Sequence, residues 1–195
     1  IEDAAHAHGA KIDNIFAGNI GDFGCFSFYS TKIITTGGEG GFISTNNEKL
    51  FDLCSSLGAI GIDKKSKNEI YINAGSNNRL TEFQAIMGIS QLNKLESFVK
   101  HRNKMAGIYK HRFSQLVEDG LIKFQEYPQN IRHPYWMFMV LIENKDYKRI
   151  DIKDRLIKDD INISWPYHPL LHQQPAFIKL NQVNLKKSEE YANNH

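Results

Sequence analysis

Apolar positions along this chain alternate between the spacing of strands and the wider spacing of helices. Residues 23–29 (Phe23-Gly24-Cys25-Phe26-Ser27-Phe28-Tyr29) alternate Phe with small residues, which predicts a strand. Residues 35–41 are Gly-rich and predict a loop or tight hairpin tip, and Phe42-Ile43-Ser44-Thr45 a second strand. Over residues 47–58, Leu50, Leu53, Cys54 and Leu57 share one side, predicting a helix stopped at Gly58. Residues 59–78 are polar and aperiodic, and a loop of that length in a compact domain is usually functional. Thr81 and Gln84 then form a capping-box pattern. Behind them Ile86, Ile89, Leu92, Leu95 and Val99 recur at helical spacing, so a helix is expected to run, straight or bent, toward Leu116.

Beyond Gly120 the texture changes. Residues 121–124 and 135–142 predict strands, residues 151–158 a helix, and residues 161–165 another strand. This predicts two domains, residues 1–115 and a smaller α+β domain over residues 116–195. No internal repeat or low-complexity segment is present.

Of 195 residues, 41% are hydrophobic and 24% charged, an ordinary globular balance. No apolar run approaches the roughly 18–20 residues that span a bilayer, and no signal peptide is visible. With a formal net charge of +2 and no dense basic cluster, nucleic acid is not an expected partner. Cys25 and Cys54 are the only cysteines, too few for a disulfide framework, so a reducing cytoplasm is expected. The start at Ile1 without an initiator Met, and the end at His195 without a turn or tail signal, are expected of a piece cut from a longer protein.

Four features in the first eighty residues carry candidate chemistry. Lys32 follows the first predicted strand and precedes the Gly-rich turn; burial there would leave its amine nucleophilic, the alternative being a surface lysine. Asp3 could hold a proton on a cofactor's ring nitrogen, or cap the Ala-rich segment behind it. Ser27 puts a hydroxyl one short extended segment from the Lys32 amine, or is a small residue in a packed strand. Residues 75–80 (Gly75-Ser76-Asn77-Asn78-Arg79-Leu80) set amide, guanidinium and a helix N-terminus together, which suits an anion, or form a loop ending in a cap.

Together these features resemble the DegT/DnrJ/EryC1/StrS aminotransferases. The resemblance rests on Ile1-Glu2-Asp3-Ala4-Ala5-His6-Ala7-His8-Gly9-Ala10 and on Gly21-Asp22-Phe23-Gly24-Cys25-Phe26-Ser27-Phe28. It continues through Lys32-Ile33-Ile34-Thr35-Thr36-Gly37-Gly38-Glu39-Gly40-Gly41 and Gly75-Ser76-Asn77-Asn78-Arg79-Leu80-Thr81-Glu82-Phe83-Gln84-Ala85. It ends in Trp165-Pro166-Tyr167-His168-Pro169-Leu170-Leu171-His172-Gln173-Gln174-Pro175, so it covers essentially the whole chain.

The resemblance implies the α/β fold of the type I pyridoxal 5′-phosphate (PLP) transferases, the aspartate aminotransferase fold. A partial large domain with a mainly parallel sheet would be followed by a small, truncated α+β domain. Lys32 would carry PLP covalently, Asp3 would pair with its pyridine nitrogen, and His6 would sit beside the ring and its 3-hydroxyl. Ser27 would hold the phosphate, and Asn77 would reach the phosphate of the neighbouring subunit of a homodimer. The implied reaction moves an amino group from an amino acid, L-glutamate for choice, to a nucleotide-linked keto-deoxysugar for a surface polysaccharide such as lipopolysaccharide. The C-terminal segment resembles the 4-aminotransferases, such as perosamine synthases, more than the 3-aminotransferases.

Three departures stand out. The family usually has aromatic residues where this chain has Ser76 and Asn78, residues 59–74 are unlike the common forms, and the stretch expected before the Asp motif is not within residues 1–195. Without that stretch, residues 1–195 alone are expected to lack half the phosphate cradle. A sugar dehydratase of the same family is the nearest alternative, but such relatives replace the cofactor lysine with His; a truncated, inactive remnant is another. A metal site built from His6, His8, His168 and His172 lacks a completing carboxylate or Cys cluster, so no metal is expected. Residues 37–41 lack the P-loop pattern, and Lys32 precedes the glycines.

Overall fold

The structure is a computed structural model that describes residues 1–144, 146–165, 169–179 and 184–194. It divides into two compact units, Ile1–Gly107 with Tyr127–Met137, and Ile108–Glu126 with Phe138–His195. The segment Tyr127–Met137 therefore belongs with the first unit, where a single cut after residue 115 would put it with the second. The cause is a strand pairing described below.

In the first unit, β1 (Glu2–Asp3), β4 (Gly24–Ser27) and β5 (Gly41–Ser44) form a sheet in the order β1-β4-β5. The β1–β4 pair is parallel and the β4–β5 pair antiparallel, so the parallel character expected of the sheet is carried here by β1 and β4. Phe26 stacks on Phe42 across the antiparallel pair, with centroids 4.5 Å apart. A second small sheet joins β2 (Lys11–Ile12), β3 (Ile15–Phe16) and β7 (Ile131–Arg132) in the order β3-β2-β7. The antiparallel β2–β7 pairing is what draws residues 127–137 into this unit. Arg132 locks it: its Nε donates to Gly9 O, and its two terminal nitrogens grip the Glu96 carboxylate at 3.0 and 2.9 Å.

The helices start where side-chain chemistry starts them. In α1 (Glu48–Leu57) the Asn47 carboxamide accepts from the N–H groups of Lys49 and Leu50, and Gly58 closes the other end. In α2 (Glu82–Leu92) the capping box is complete: Thr81 Oγ1 accepts from Gln84 N, and Gln84 Oε1 accepts from Thr81 N. The expected long helix is bent into α2, α3 (Leu95–Arg112) and the short α4 (Ser114–Glu118). Of its predicted apolar stripe only Val99 is buried; Ile86, Ile89 and Leu92 are exposed, and no element among the described residues covers them.

Residues 59–78 hold no strand, but they are not slack. The chain doubles back through bridges Ala59–Asn77 and Ile62–Tyr71, and Ser76 and Asn78 donate backbone N–H to Leu57 O and Gly58 O. Gly61 and Gly75 permit this close approach: a Cβ on Gly61, whose φ is +87°, would meet Asn73 O at 1.8 Å.

In the second unit β6 (Ile122–Phe124) pairs antiparallel with β8 (Val140–Ile142), and Tyr109 and Phe124 each pack a ring against Phe138. Among the described residues it also holds helix α5 (Arg149–Lys158), a 3-10 turn at Leu171–Gln173 and helix α6 (Lys186–Asn194). Two expectations are corrected. Residues 135–139 are not in a strand, because Tyr135 takes a left-handed backbone and β8 begins only at Val140. Residues 161–165 also form no strand; Ile161 N donates back to Leu156 O and closes α5, while Trp165 lies under Arg149 and Lys153.

Candidate functional site

Asp3 ends β1, and the residues behind it are turns. Ala7 N donates to Ala4 O, and Ala10 N donates to Ala7 O. The Asp3 carboxylate accepts from Ala5 N at 3.1 Å. No helix follows, so Asp3 caps none; it closes a turn and stays exposed. Gly9, at φ +77°, is needed where the second turn meets α3: a Cβ there would come within 2.8 Å of Val99 Cγ2.

The neighbouring Glu2 anchors this strand end. Its carboxylate accepts from the backbone N–H groups of Gly18, Ile20 and Gly21, each at 2.7 Å. Those donors, Gly21 and Gly18 foremost, hold the Glu2 carboxyl below its usual range. Sequence reasoning gave Glu2 no role. The signal was available in its place directly before Asp3.

Lys32 lies in the turn that follows β4. The chain is not extended from Ser27 to Lys32 as expected: it turns at residues 29–32, and Lys32 N donates to Tyr29 O. The Ser27 hydroxyl accepts from Tyr29 N at 3.2 Å. The Gly-rich turn beyond is tied to α2, where Gln84 Nε2 donates to Glu39 O at 2.8 Å, and Thr35 and Thr36 hydroxyls donate to Phe28 O and Glu39 O.

The turns after β1 and β4 bring Lys32 and His6 together. Lys32 Nζ lies 2.5 Å from His6 Nε2. Burial is the main reason that the His6 imidazole is held below its usual value; the Lys32 charge adds to the effect and Asp3 opposes it. Trp136, which sequence reasoning did not single out, stacks on His6 with centroids 3.5 Å apart and planes 16° from parallel. Its Nε1–H donates to Thr31 O at 2.8 Å, and Lys32 Nζ stands 5.0 Å from its ring centroid.

His8 is the other imidazole of this segment. It is 2% exposed, beside the rings of Phe26 and Phe28. Neither ring nitrogen finds a hydrogen-bond partner among the described residues; the Ser27 backbone acts on it electrostatically without hydrogen-bond geometry. Burial pushes it down to about 4, and the Lys32 and His6 charges add to the push.

The five sequence-derived residues are thus not all in mutual contact. Lys32 and His6 touch, and Asp3 acts on His6 through its charge. Ser27 lies on β4, whose Cys25 is in register with Asp3. Asn77 stands apart: its Oδ1 accepts from Arg79 Nε at 2.9 Å, and no hydrogen bond among the described residues joins it to the other four. Of the histidines considered as metal ligands, His172 pairs with Glu189 at 2.9 Å, and His168 lies outside the described residues with Pro166 and Tyr167.

A lysine amine beside an imidazole, with a carboxylate at one strand end and a hydroxyl at the next, fits PLP. The amine can bind the aldehyde, the carboxylate can balance a protonated ring nitrogen, and the hydroxyl can donate to a phosphate.

Comparison with known proteins gives the family of the chain. The sequence profile of the DegT/DnrJ/EryC1/StrS aminotransferase family matches residues 1–195. An uncharacterized protein from Methanocaldococcus jannaschii is 36% identical over 190 residues, covering 92% of this chain and 48% of the relative. A GDP-perosamine synthase from Caulobacter vibrioides is 33% identical over 194 residues, covering 97% of this chain and 50% of the relative. Among solved structures, a Helicobacter pylori aminotransferase involved in the biosynthesis of pseudoaminic acid superposes with a TM-score of 0.85 at 25% identity, over 98% of this chain and 51% of that one. The structural neighbours carry the type I PLP-transferase fold, and the chain spans about half the length of the curated relatives it matches. The chain belongs to the DegT/DnrJ/EryC1/StrS aminotransferase family.

Proposed function

We propose that this chain is the Lys32-bearing part of a PLP-dependent aminotransferase that moves an amino group from an amino acid to a nucleotide-linked keto-deoxysugar. The observation that carries the reading is the Lys32 amine 2.5 Å from the uncharged imidazole of His6. Relatives named GDP-perosamine synthase and nucleotide-sugar transaminase support the substrate class, the latter being named for both 4-amino and 3-amino sugars. PLP, when bound, supplies the electron sink that eases loss of a proton from the donor's α-carbon.

Everything else in the reaction falls to the chain's own side chains. Lys32 Nζ takes the α-carbon proton from the donor, L-glutamate for choice, as a positioned general base. His6 Nε2 is the hydrogen-bond partner that aims Nζ. The Asp3 carboxylate holds a proton on the ring nitrogen, and the Ser27 hydroxyl donates to the phosphate. On this reading residues 1–115, joined by Tyr127–Met137, belong to the cofactor-binding large domain and the rest of residues 116–195 to the smaller one. The working unit is a homodimer in the cytoplasm, and Asn77, exposed and held by Arg79, reaches the phosphate of the neighbouring subunit.

Lys32 argues against the dehydratase alternative, whose chemistry replaces this lysine. The test is the donor half-reaction, in which the protein loaded with PLP is given L-glutamate. Conversion to pyridoxamine phosphate supports the proposal; water elimination from a keto-sugar substrate without amine transfer would replace it with the dehydratase.

A further inference from the structure

We propose that Trp136 is a positioning residue of the Lys32 site, whose indole fixes the His6 ring so that Nε2 faces Lys32 Nζ. The proposal deepens the reading of Lys32 as the cofactor lysine and rests on it.

One side chain contacts both members of the pair. The indole stacks on His6 at 3.5 Å, and its Nε1–H is donated to Thr31 O, the backbone next to Lys32. The stack sets the plane of the imidazole, and the hydrogen bond sets the distance between the indole and the lysine turn. A ring lying in that plane and covered on one face has few ways to aim its Nε2, and the observed aim is at Nζ. Trp136 is only half-buried, and the groups it meets include an imidazole, an amine and a carbonyl.

The segment that delivers Trp136 is strained and tightly held. Tyr135, immediately before it, has a φ of +47°, a backbone region that an aromatic residue rarely adopts. Such a conformation persists only where its surroundings over-determine it. Here Arg102 Nη1 donates to Tyr135 O and Trp136 O, and Asn103 Nδ2 donates to His133 O, all from α3. Tyr135 N donates to His133 Nδ1 at 3.0 Å. Strain held in place this way, one residue from a ring stacked on the candidate site, points to a geometric requirement at Trp136.

The test uses the chain free of cofactor, so it does not depend on turnover. A protonated imidazole stacked on an indole quenches its fluorescence. Tryptophan emission should therefore fall on acidification with the same midpoint as His6, followed by NMR of its ring protons, below the ordinary histidine value of 6.5. His6→Gln should abolish that titration and leave the emission of Trp165. Trp136→Phe, which keeps a ring on the imidazole, should keep the low midpoint; Trp136→Leu should shift it up toward 6.5. An emission titration that survives His6→Gln overturns the proposal, as does a His6 midpoint indifferent to Trp136→Leu. If Trp136→Leu does not fold, the unmutated chain and His6→Gln decide alone. Should PLP later be found on a different lysine, the enzymatic reading fails while this coupling stands, so the two failures are distinguishable.

Discussion

Lys32 and His6 are separated by 26 residues, yet Nζ and Nε2 stand 2.5 Å apart. Parallel pairing of β1 with β4 sets the two turns that carry them side by side. With the imidazole held below its usual value, His6 is uncharged at neutral pH, so it can accept from the ammonium without repelling it. The contact then needs a hydrogen-bonding group and no charge. We expect His6→Gln to keep the donor half-reaction within about tenfold of the original, the scale of one weakened hydrogen bond. His6→Leu should cost clearly more. Single-turnover rates with L-glutamate check both; equal losses in the two variants would show that the hydrogen bond is irrelevant.

His8 predicts an acid sensitivity of the fold. Its folded value is about 4 against 6.5 for an ordinary histidine. The unfolded chain therefore takes up a proton that the folded chain refuses. The stability His8 contributes is complete above 6.5 and is lost as pH falls from there toward about 4. By pH 5 the loss should be on the order of 2 kcal/mol. Urea unfolding at pH 7 and pH 5 measures it, and His8→Phe should flatten the difference.

Glu2 should matter to the fold. Its carboxylate serves three backbone donors of residues 18–21. Glu2→Gln removes the charge and one acceptor oxygen and should destabilise the chain by about 1–3 kcal/mol at neutral pH. Because the folded value lies below the usual 4.5, that contribution is present above 4.5 and is lost as pH falls through the folded value. The original chain and the variant should therefore converge in acid, which melting curves across that range would reveal.

Asp3 should behave oppositely. Its carboxylate is exposed and makes one local turn contact. Asp3→Asn keeps that contact and should change stability by no more than about 0.5 kcal/mol. The loss in the donor half-reaction should reach ~10²-fold or more, as for removal of one preorganised charge partner. Matching losses in melting temperature and rate would return Asp3 to a structural role.

The parts of this fold legible in the sequence are those fixed by local chemistry. Asn47 and Gly58 bound α1, and Thr81 and Gln84 start α2, because caps need only neighbours in sequence. The pairing of β4 with β5 follows from the Phe-and-small alternation. What was not legible depends on distant partners. β7 is two residues long and is defined by pairing with Lys11 and Ile12. Trp136 reads as a strand residue until Arg102 and Asn103 draw residues 133–136 out of any ladder. Ile86, Ile89 and Leu92 carry the period of a core face, but periodicity does not say whether a partner element is present. At the site, Lys32, Asp3 and Ser27 stood out by their places along the chain, and the roles given to them, to His6 and to Asn77 came from the family resemblance; the carboxylate contacts of Glu2, the burial of His8 and the stacking of Trp136 depend on contacts between distant segments.

The central claim is that Lys32 carries the cofactor. The direct measurement is borohydride reduction of the PLP-loaded protein, expressed in its full reading frame, followed by peptide mass spectrometry. The account predicts a pyridoxyl adduct on the peptide containing Lys32, lost in Lys32→Ala; an adduct on any other lysine, or the same yield from Lys32→Ala, would contradict it.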